Sequence, residues 1–174
     1  MDADTTKRLE AWLSKEAGGA VKIEGMARLS GGAIQENWRV QLDVTGGTWE
    51  GHHDLVLRKD APSGVAVSHG RAAEFRILKL AHKSSVLAPT PCVLCEDTSV
   101  LGTPFFMMHH IPGASLRQPL TKGPPNEDLV ADLGRNLARI HAISGAEKLE
   151  FLGKPTATPA DASLADYRHH LDKL

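Results

Sequence analysis

Leu9, Trp12, Leu13 and Ala17 recur at helical spacing and stop at Gly18-Gly19, so residues 4 to 17 read as an amphipathic helix. Short apolar runs follow at residues 21–23, 26–29, 37–44 and 54–59, with turn residues such as Thr45-Gly46-Gly47 between them. Their lengths and turns predict antiparallel strands joined by hairpins. From residue 70 to about 82 the period changes: Ala73, Ile77 and Ala81 form one stripe with Phe75 and Leu78 beside it, which predicts a helix. Two more strands are expected at residues 90–95 and 104–109, and Pro112-Gly113 ends the second. Beyond a proline-rich entry at Pro124-Pro125-Asn126, Leu129, Leu133, Leu137 and Ile140 mark a helix. Leu164, Tyr167, Leu171 and Leu174 mark a last one, and no internal repeat is visible.

The chemistry concentrates in the strand-rich half. Ser30-Gly31-Gly32 ends one apolar run where the next begins, and glycines there let backbone N–H groups approach an anion closely. The same triplet also fits a plain hairpin turn. On the third strand, alternation puts Val56 and Arg58 on one face and Leu55, Leu57 and Lys59 on the other. Arg58 is the candidate phosphate cation, and Lys59 takes its place if the register slips by one residue. Glu74 lies one turn before Ile77 and Leu78, so its carboxylate leans toward the apolar side of its helix and needs a cation. That cation is Arg58, or else Arg71 in a surface pair three residues earlier.

Composition narrows the partners. Among 174 residues, 20 Lys and Arg balance 21 Asp and Glu, giving a formal charge of −1, so a broad surface for a phosphate backbone is not expected. Nucleic acid is therefore not an expected partner. Neither is a membrane, since no apolar run approaches the roughly 20 residues a spanning helix needs, and a cytoplasmic location is the default. Cys92 and Cys95 form a C-x-x-C pair without a matching second pair, so two packed thiols are expected rather than a zinc or redox site. The pairs His52-His53, His109-His110 and His169-His170 suggest no metal, because adjacent residues point in different directions.

Five antiparallel strands with one helix inserted after the third, then helices, make an α+β order rather than a doubly wound one. The pieces Leu29-Ser30-Gly31-Gly32-Ala33-Ile34-Gln35-Glu36-Asn37-Trp38, Leu55-Val56-Leu57-Arg58, Arg71-Ala72-Ala73-Glu74-Phe75, Gly102-Thr103-Pro104-Phe105-Phe106-Met107-Met108 and Leu137-Ala138-Arg139-Ile140-His141 occur in the order of one family. With them the chain resembles the aminoglycoside phosphotransferase family, which is kinase-like. The likeness is to its subgroup of bacterial small-molecule phosphotransferases, related to the kinase-like region of some acyl-CoA dehydrogenases. The resemblance implies a protein-kinase-like N-lobe over residues 1–111, a five-stranded antiparallel sheet plus one inserted helix. The first helices of an incomplete C-lobe would follow over residues 112–174.

It also implies a cofactor, ATP, and a set of contacts. Ser30, Gly31 and Gly32 would turn over the phosphates, and Val56 would face adenine. Arg58 would stand where related kinases place a lysine, paired with Glu74. Met108 would border the back of the pocket, His109 would offer its C=O and Ile111 its N–H. His141 would support the catalytic loop structurally. The family's H-G-D-x-H-x-x-N loop, which supplies the carboxylate and the Mg²⁺ ligands, does not occur in the 174 residues, and His170-Leu171-Asp172 only mimics its start. The expectation is thus a truncated phosphotransferase: an ATP-binding portion that passes the γ-phosphate to a hydroxyl of an unknown small molecule only when completed. The alternative is a non-catalytic regulatory or interaction module. In both, some apolar surface of the incomplete C-lobe would be exposed, or covered by self-association or a partner chain.

Overall fold

The computed structural model describes residues 1–29, 35–61, 69–113, 126–152 and 158–171. They fall into two compact units, Met1–Ile143 and Ser144–Leu174. In the first, helix α1 (Ala3–Ala17) leads into strands β1 (Ala20–Arg28), β2 (Gln35–Thr45) and β3 (Gly51–Asp60). Helix α2 (Arg71–Lys83), strand β4 (Pro91–Cys95), the short helix α3 (Thr98–Leu101), strand β5 (Phe105–His109) and helix α4 (Glu127–His141) complete it. The strands make one antiparallel sheet in the order β1-β2-β3-β5-β4, with five strands as the kinase-lobe resemblance implies.

Helix α1 is fixed at both ends by its sequence. The Asp2 carboxylate accepts from Thr5 N–H at 2.8 Å, and Gly18 takes the left-handed conformation (φ 66°) that closes the last turn. Leu9, Leu13 and Ala17, fully buried, pack on Val40, Leu42, Leu55, Leu57, Phe105 and Met107 of the sheet. Trp12 adds an edge-to-face contact with Phe105, ring centroids 5.1 Å apart. The helix also seals the exposed edge of β1: Val21 N–H donates to Ser14 Oγ at 3.0 Å and Ile23 N–H to Glu10 Oε1 at 2.8 Å.

Two glycine pairs that read separately as a helix stop and a hairpin turn lock together. Thr48 N–H donates to Ala17 C=O at 2.9 Å. A Cβ on Gly19 would collide with the carbonyl of Gly46, and one on Gly47 (φ 76°) with that of Ala17. Elsewhere the two expected runs at residues 21–23 and 26–29 prove to be one strand, because a bulge between Ile23 and Gly25 interrupts the alternation without ending the pairing. Helix α3 was not expected. Asp97 caps it by accepting from Ser99 N–H at 2.9 Å, Gly102 ends it in the left-handed region, and Arg8 Nε donates to Val100 C=O at 3.1 Å.

The opposite face of the sheet carries α2. Phe75 is buried against Phe106, with ring centroids at 5.8 Å. The buried line of the helix runs through Arg71, Phe75 and Ala81, whereas Ala73 and Ile77 of the expected stripe are half-buried. Helix α4 is capped by Asn126, whose side chain accepts from Leu129 N–H at 3.0 Å. Asn136 ties the helix to the turn after α2, accepting from Leu87 N–H at 2.7 Å. Leu129, Val130, Leu133, Leu137 and Ile140 are all exposed, as is His141, which holds no packed position among the described residues. The second unit holds two 3₁₀ turns, Ala146–Lys148 and Glu150–Leu152, and helix α5 (Pro159–Leu171). No described helix is long and apolar enough to cross a membrane.

The glycine lock predicts an asymmetry. Gly46→Ala carries only the strain of φ 75° with open space around the new methyl, about 1–2 kcal/mol. Gly47→Ala adds a clash with backbone and should cost more than about 4 kcal/mol. Urea unfolding of both variants checks this, and equal losses would contradict the interlock.

Candidate nucleotide site

The site begins with strand register. Asn37 lies opposite Arg58, Arg39 opposite Val56, and Gln41 opposite Asp54, so these six side chains share the α2 face of the sheet. Leu55 and Leu57 enter the core on the α1 face. Lys59, also on that side, pairs with Glu36 Oε2 at 3.1 Å. The register slip that would have made Lys59 the site's cation does not occur.

On the α2 face a cleft of about 530 Å³ is lined by Leu29, Asn37, Val56, Arg58, Pro89 and Met108, and by His109, His110, Ile111, Pro112 and Gly113 on the exit from β5. A smaller cavity of about 290 Å³, beside Trp49, His53 and Cys92, contains no arginine or lysine. Ser30, Gly31 and Gly32 lie outside the described residues. Leu29 just before them closes the ladder, its N–H donating to Asn37 C=O at 2.8 Å.

Arg58 is the cation of the cleft, and its direction is set from three sides. Its Nη1 donates to Asn37 Oδ1 at 3.1 Å and its Nη2 to Gln35 Oε1 at 2.5 Å. Its Nε stands 2.8 Å from Glu74 Oε1, an ion pair by distance although the N–H is not aligned as a hydrogen bond. Each Nη nitrogen carries two N–H groups and spends one on these partners, leaving a second donor on each without a partner among the described residues. A planar fork of that kind matches phosphate oxygens.

Glu74 does not choose between the two arginines, because it holds both. Its Oε2 pairs with Arg71 Nη1, while Arg71 Nε lies 3.0 Å from Asp60 Oδ1 and Arg71 Nη2 donates to His69 C=O at 3.0 Å. The pair with Arg71 expected at the surface is therefore a correction: Arg71 is 2% exposed, the one buried polar or charged residue among those described. Gln35, Asn37, Asp60 and Arg71 are the members of the site that sequence reasoning missed. The spacing of Arg71 to Glu74 was visible, but the register that brings Asn37 beside Arg58 was not.

A second ionic group stands behind the cleft-lining His110 at the exit from β5. Arg39 grips Asp54 with Nε at 2.9 Å and Nη2 at 2.7 Å, and His110 Nδ1 lies 3.1 Å from the same carboxylate. His110 N–H also donates to Asp54 C=O at 3.0 Å. The hydrogen bonds from Arg39 hold the Asp54 carboxyl below its usual range, against the opposing effect of burial. Burial pushes the Cys92 thiol up to about 11 and raises that of Cys95, so at neutral pH both are protonated, packed thiols. Among the described residues no three His, Cys, Asp or Glu side chains converge to hold a metal ion.

Comparison with known proteins places the chain. The profile of the phosphotransferase enzyme family, APH, matches residues 25–174. The chain belongs to this family, and its fold is that of a kinase-like phosphotransferase. It is 38% identical to acyl-CoA dehydrogenase family member 10 of Mus musculus over 106 residues, 58% of this chain and 10% of that protein. It is 27% identical to acyl-CoA dehydrogenase family member 11 of Pongo abelii over 143 residues, 80% of this chain and 18% of that one. The chain thus spans less than a fifth of the length of these curated relatives. A crystal structure from Ralstonia eutropha, provisionally assigned as an aminoglycoside phosphotransferase, shares the fold with a TM-score of 0.59 at 23% identity, covering 86% of this chain and 42% of that one.

The Asp54 geometry predicts a pH signature. A carboxylate whose folded-state pKa is lowered contributes stability above its unfolded value near 3.8, and that contribution is lost as pH falls through the lowered folded value. Asp54→Asn should cost up to about 1 kcal/mol at pH 7. The gap to the parent protein, followed by urea midpoints between pH 7 and pH 3, should narrow on the acid side. A gap independent of pH would contradict the assignment.

Proposed function

We propose that this chain is the ATP-binding portion of a phosphotransferase that passes the γ-phosphate of ATP to a hydroxyl of a small molecule. The observation that carries the reading is Arg58, fixed at the cleft by Glu74, Gln35 and Asn37 with two N–H groups to spare among the described residues. A guanidinium held in this way is already oriented when the phosphates arrive, so little side-chain entropy is lost on binding.

The rest of the cleft suits a nucleotide. Val56 and Met108 lie opposite each other on β3 and β5 and offer an apolar floor for a purine. Ile111 N–H has no backbone partner among the described residues and is the proposed donor to the base edge, with the carbonyl of His109 the proposed acceptor beside it. Ser30, Gly31 and Gly32 are assigned to the phosphates through the family resemblance alone. Phosphoryl transfer also needs a residue to orient the attacking hydroxyl and ligands for Mg²⁺. Among the described residues no cluster of carboxylates fits that metal.

Millimolar Mg·ATP should raise the melting temperature of the chain, as any ligand specific for the folded state does. Arg58→Ala, with its fold verified by circular dichroism, should lose most of that rise. An unshifted melting temperature in the parent protein would overturn the ATP reading.

A further inference from the structure

We infer that Arg71 is a positioning residue for the phosphate-binding cation, acting through Glu74 without touching the nucleotide. The inference rests on the nucleotide reading of the cleft and adds the device that holds its arginine in place.

Arg71 is an unfavourable residue for its location. It is the first residue of α2, where the helix dipole opposes a positive charge, and Gly70 before it supplies no side-chain cap. Its side chain is only 1% exposed, so it has also given up most of its hydration. Two carboxylates compensate it, and they come from different elements: Asp60 from the end of β3 and Glu74 from α2 itself.

The connections close into a ring. Arg58 and Asp60 are two residues apart on β3 and share a face, while Arg71 and Glu74 are three apart on α2 and are neighbours on its surface. Around the ring the charges alternate: Arg58, Glu74, Arg71, Asp60. A lone pair between Arg58 and Glu74 would be a pivot about which α2 could rotate or withdraw. The second link, from Arg71 to Asp60, is likewise an ion pair by distance without an aligned hydrogen bond, and it holds the helix to the strand at a second point, which a single pair cannot do.

The division of Glu74 has the same effect at atomic scale. With Oε1 on Arg58 and Oε2 on Arg71, the carboxylate plane is set from both sides. Removing Arg71 leaves Oε2 without its buried partner and frees the group to turn. Arg58 would then keep Gln35 and Asn37, but the carboxylate at its Nε end would no longer be held in one orientation.

The test uses the full 174-residue chain with ¹⁵N-labelled arginine. The Nε–Hε resonance of Arg58, assigned by its disappearance in Arg58→Lys, should be shifted and slow to exchange in the parent protein. It should move toward the free-arginine position in Arg71→Met. Mg·ATP affinity by calorimetry should fall about tenfold in Arg71→Met, within the range of couplings inside one ion network, and about twofold or less when Glu74→Gln is already present. Should Arg71→Met fail to fold, Asp60→Asn removes the strand end of the ring, and it should produce the same resonance shift in smaller degree. An Arg58 resonance unmoved in a folded Arg71 or Asp60 variant overturns the inference, whether or not ATP binds. A parent protein that binds no ATP but shows the shift would sink the nucleotide reading alone and leave the positioning role standing.

Discussion

The carboxylate of Glu74 is the constraint on which the cleft depends. It joins the helix on one face of the sheet to the central strand, and it gives Arg58 a fixed direction instead of the free sweep of an exposed arginine. A cation meant for phosphate must be both desolvated enough to attract strongly and satisfied enough to stay ordered. Here the carboxylate supplies the charge balance, Gln35 and Asn37 supply neutral acceptors, and Arg58 itself lines the cleft. The two faces of the sheet divide the labour. Leu9, Leu13, Leu55, Leu57, Phe105 and Met107 build the dry core under α1, so that the other face can spend its positions on charge.

Family membership and local geometry support different parts of this account. The match over residues 25–174 establishes membership of the phosphotransferase enzyme family. The ion ring and the donors of Arg58 belong to this chain's own residues, and they give the proposed phosphate-binding element a specific form, an arginine buttressed by a second arginine.

Much of the fold was legible because burial on one face leaves a period in the sequence. Leu9, Leu13 and Ala17 announced α1, and the alternation of Leu55, Val56, Leu57 and Arg58 announced which side of β3 faces the cleft. Events that the period does not encode were not legible. A bulge at Ile23 and Gly25 shifts the alternation by one residue, so one strand read as two. Arg71 was read as a surface residue because arginine usually is one, and only the meeting of Asp60 and Glu74 in space makes its burial possible. The stripe of Leu133, Leu137 and Ile140 correctly signalled a helix, but a stripe says nothing of what covers it, and among the described residues it is exposed. Two glycine pairs were each read correctly as local breaks, while their contact across the fold depends on the length of β1 and β2.

The central claim is that Arg58, oriented by Glu74, acts on the phosphates and not on the base. Calorimetric titration of ATP and of adenosine against the parent protein and Arg58→Ala tests it most directly. The account predicts that the preference for ATP over adenosine collapses in Arg58→Ala while adenosine affinity stays within about twofold, since a lost charge contact discriminates by charge. An ATP preference that survives the substitution, or an equal loss for both ligands, would contradict it.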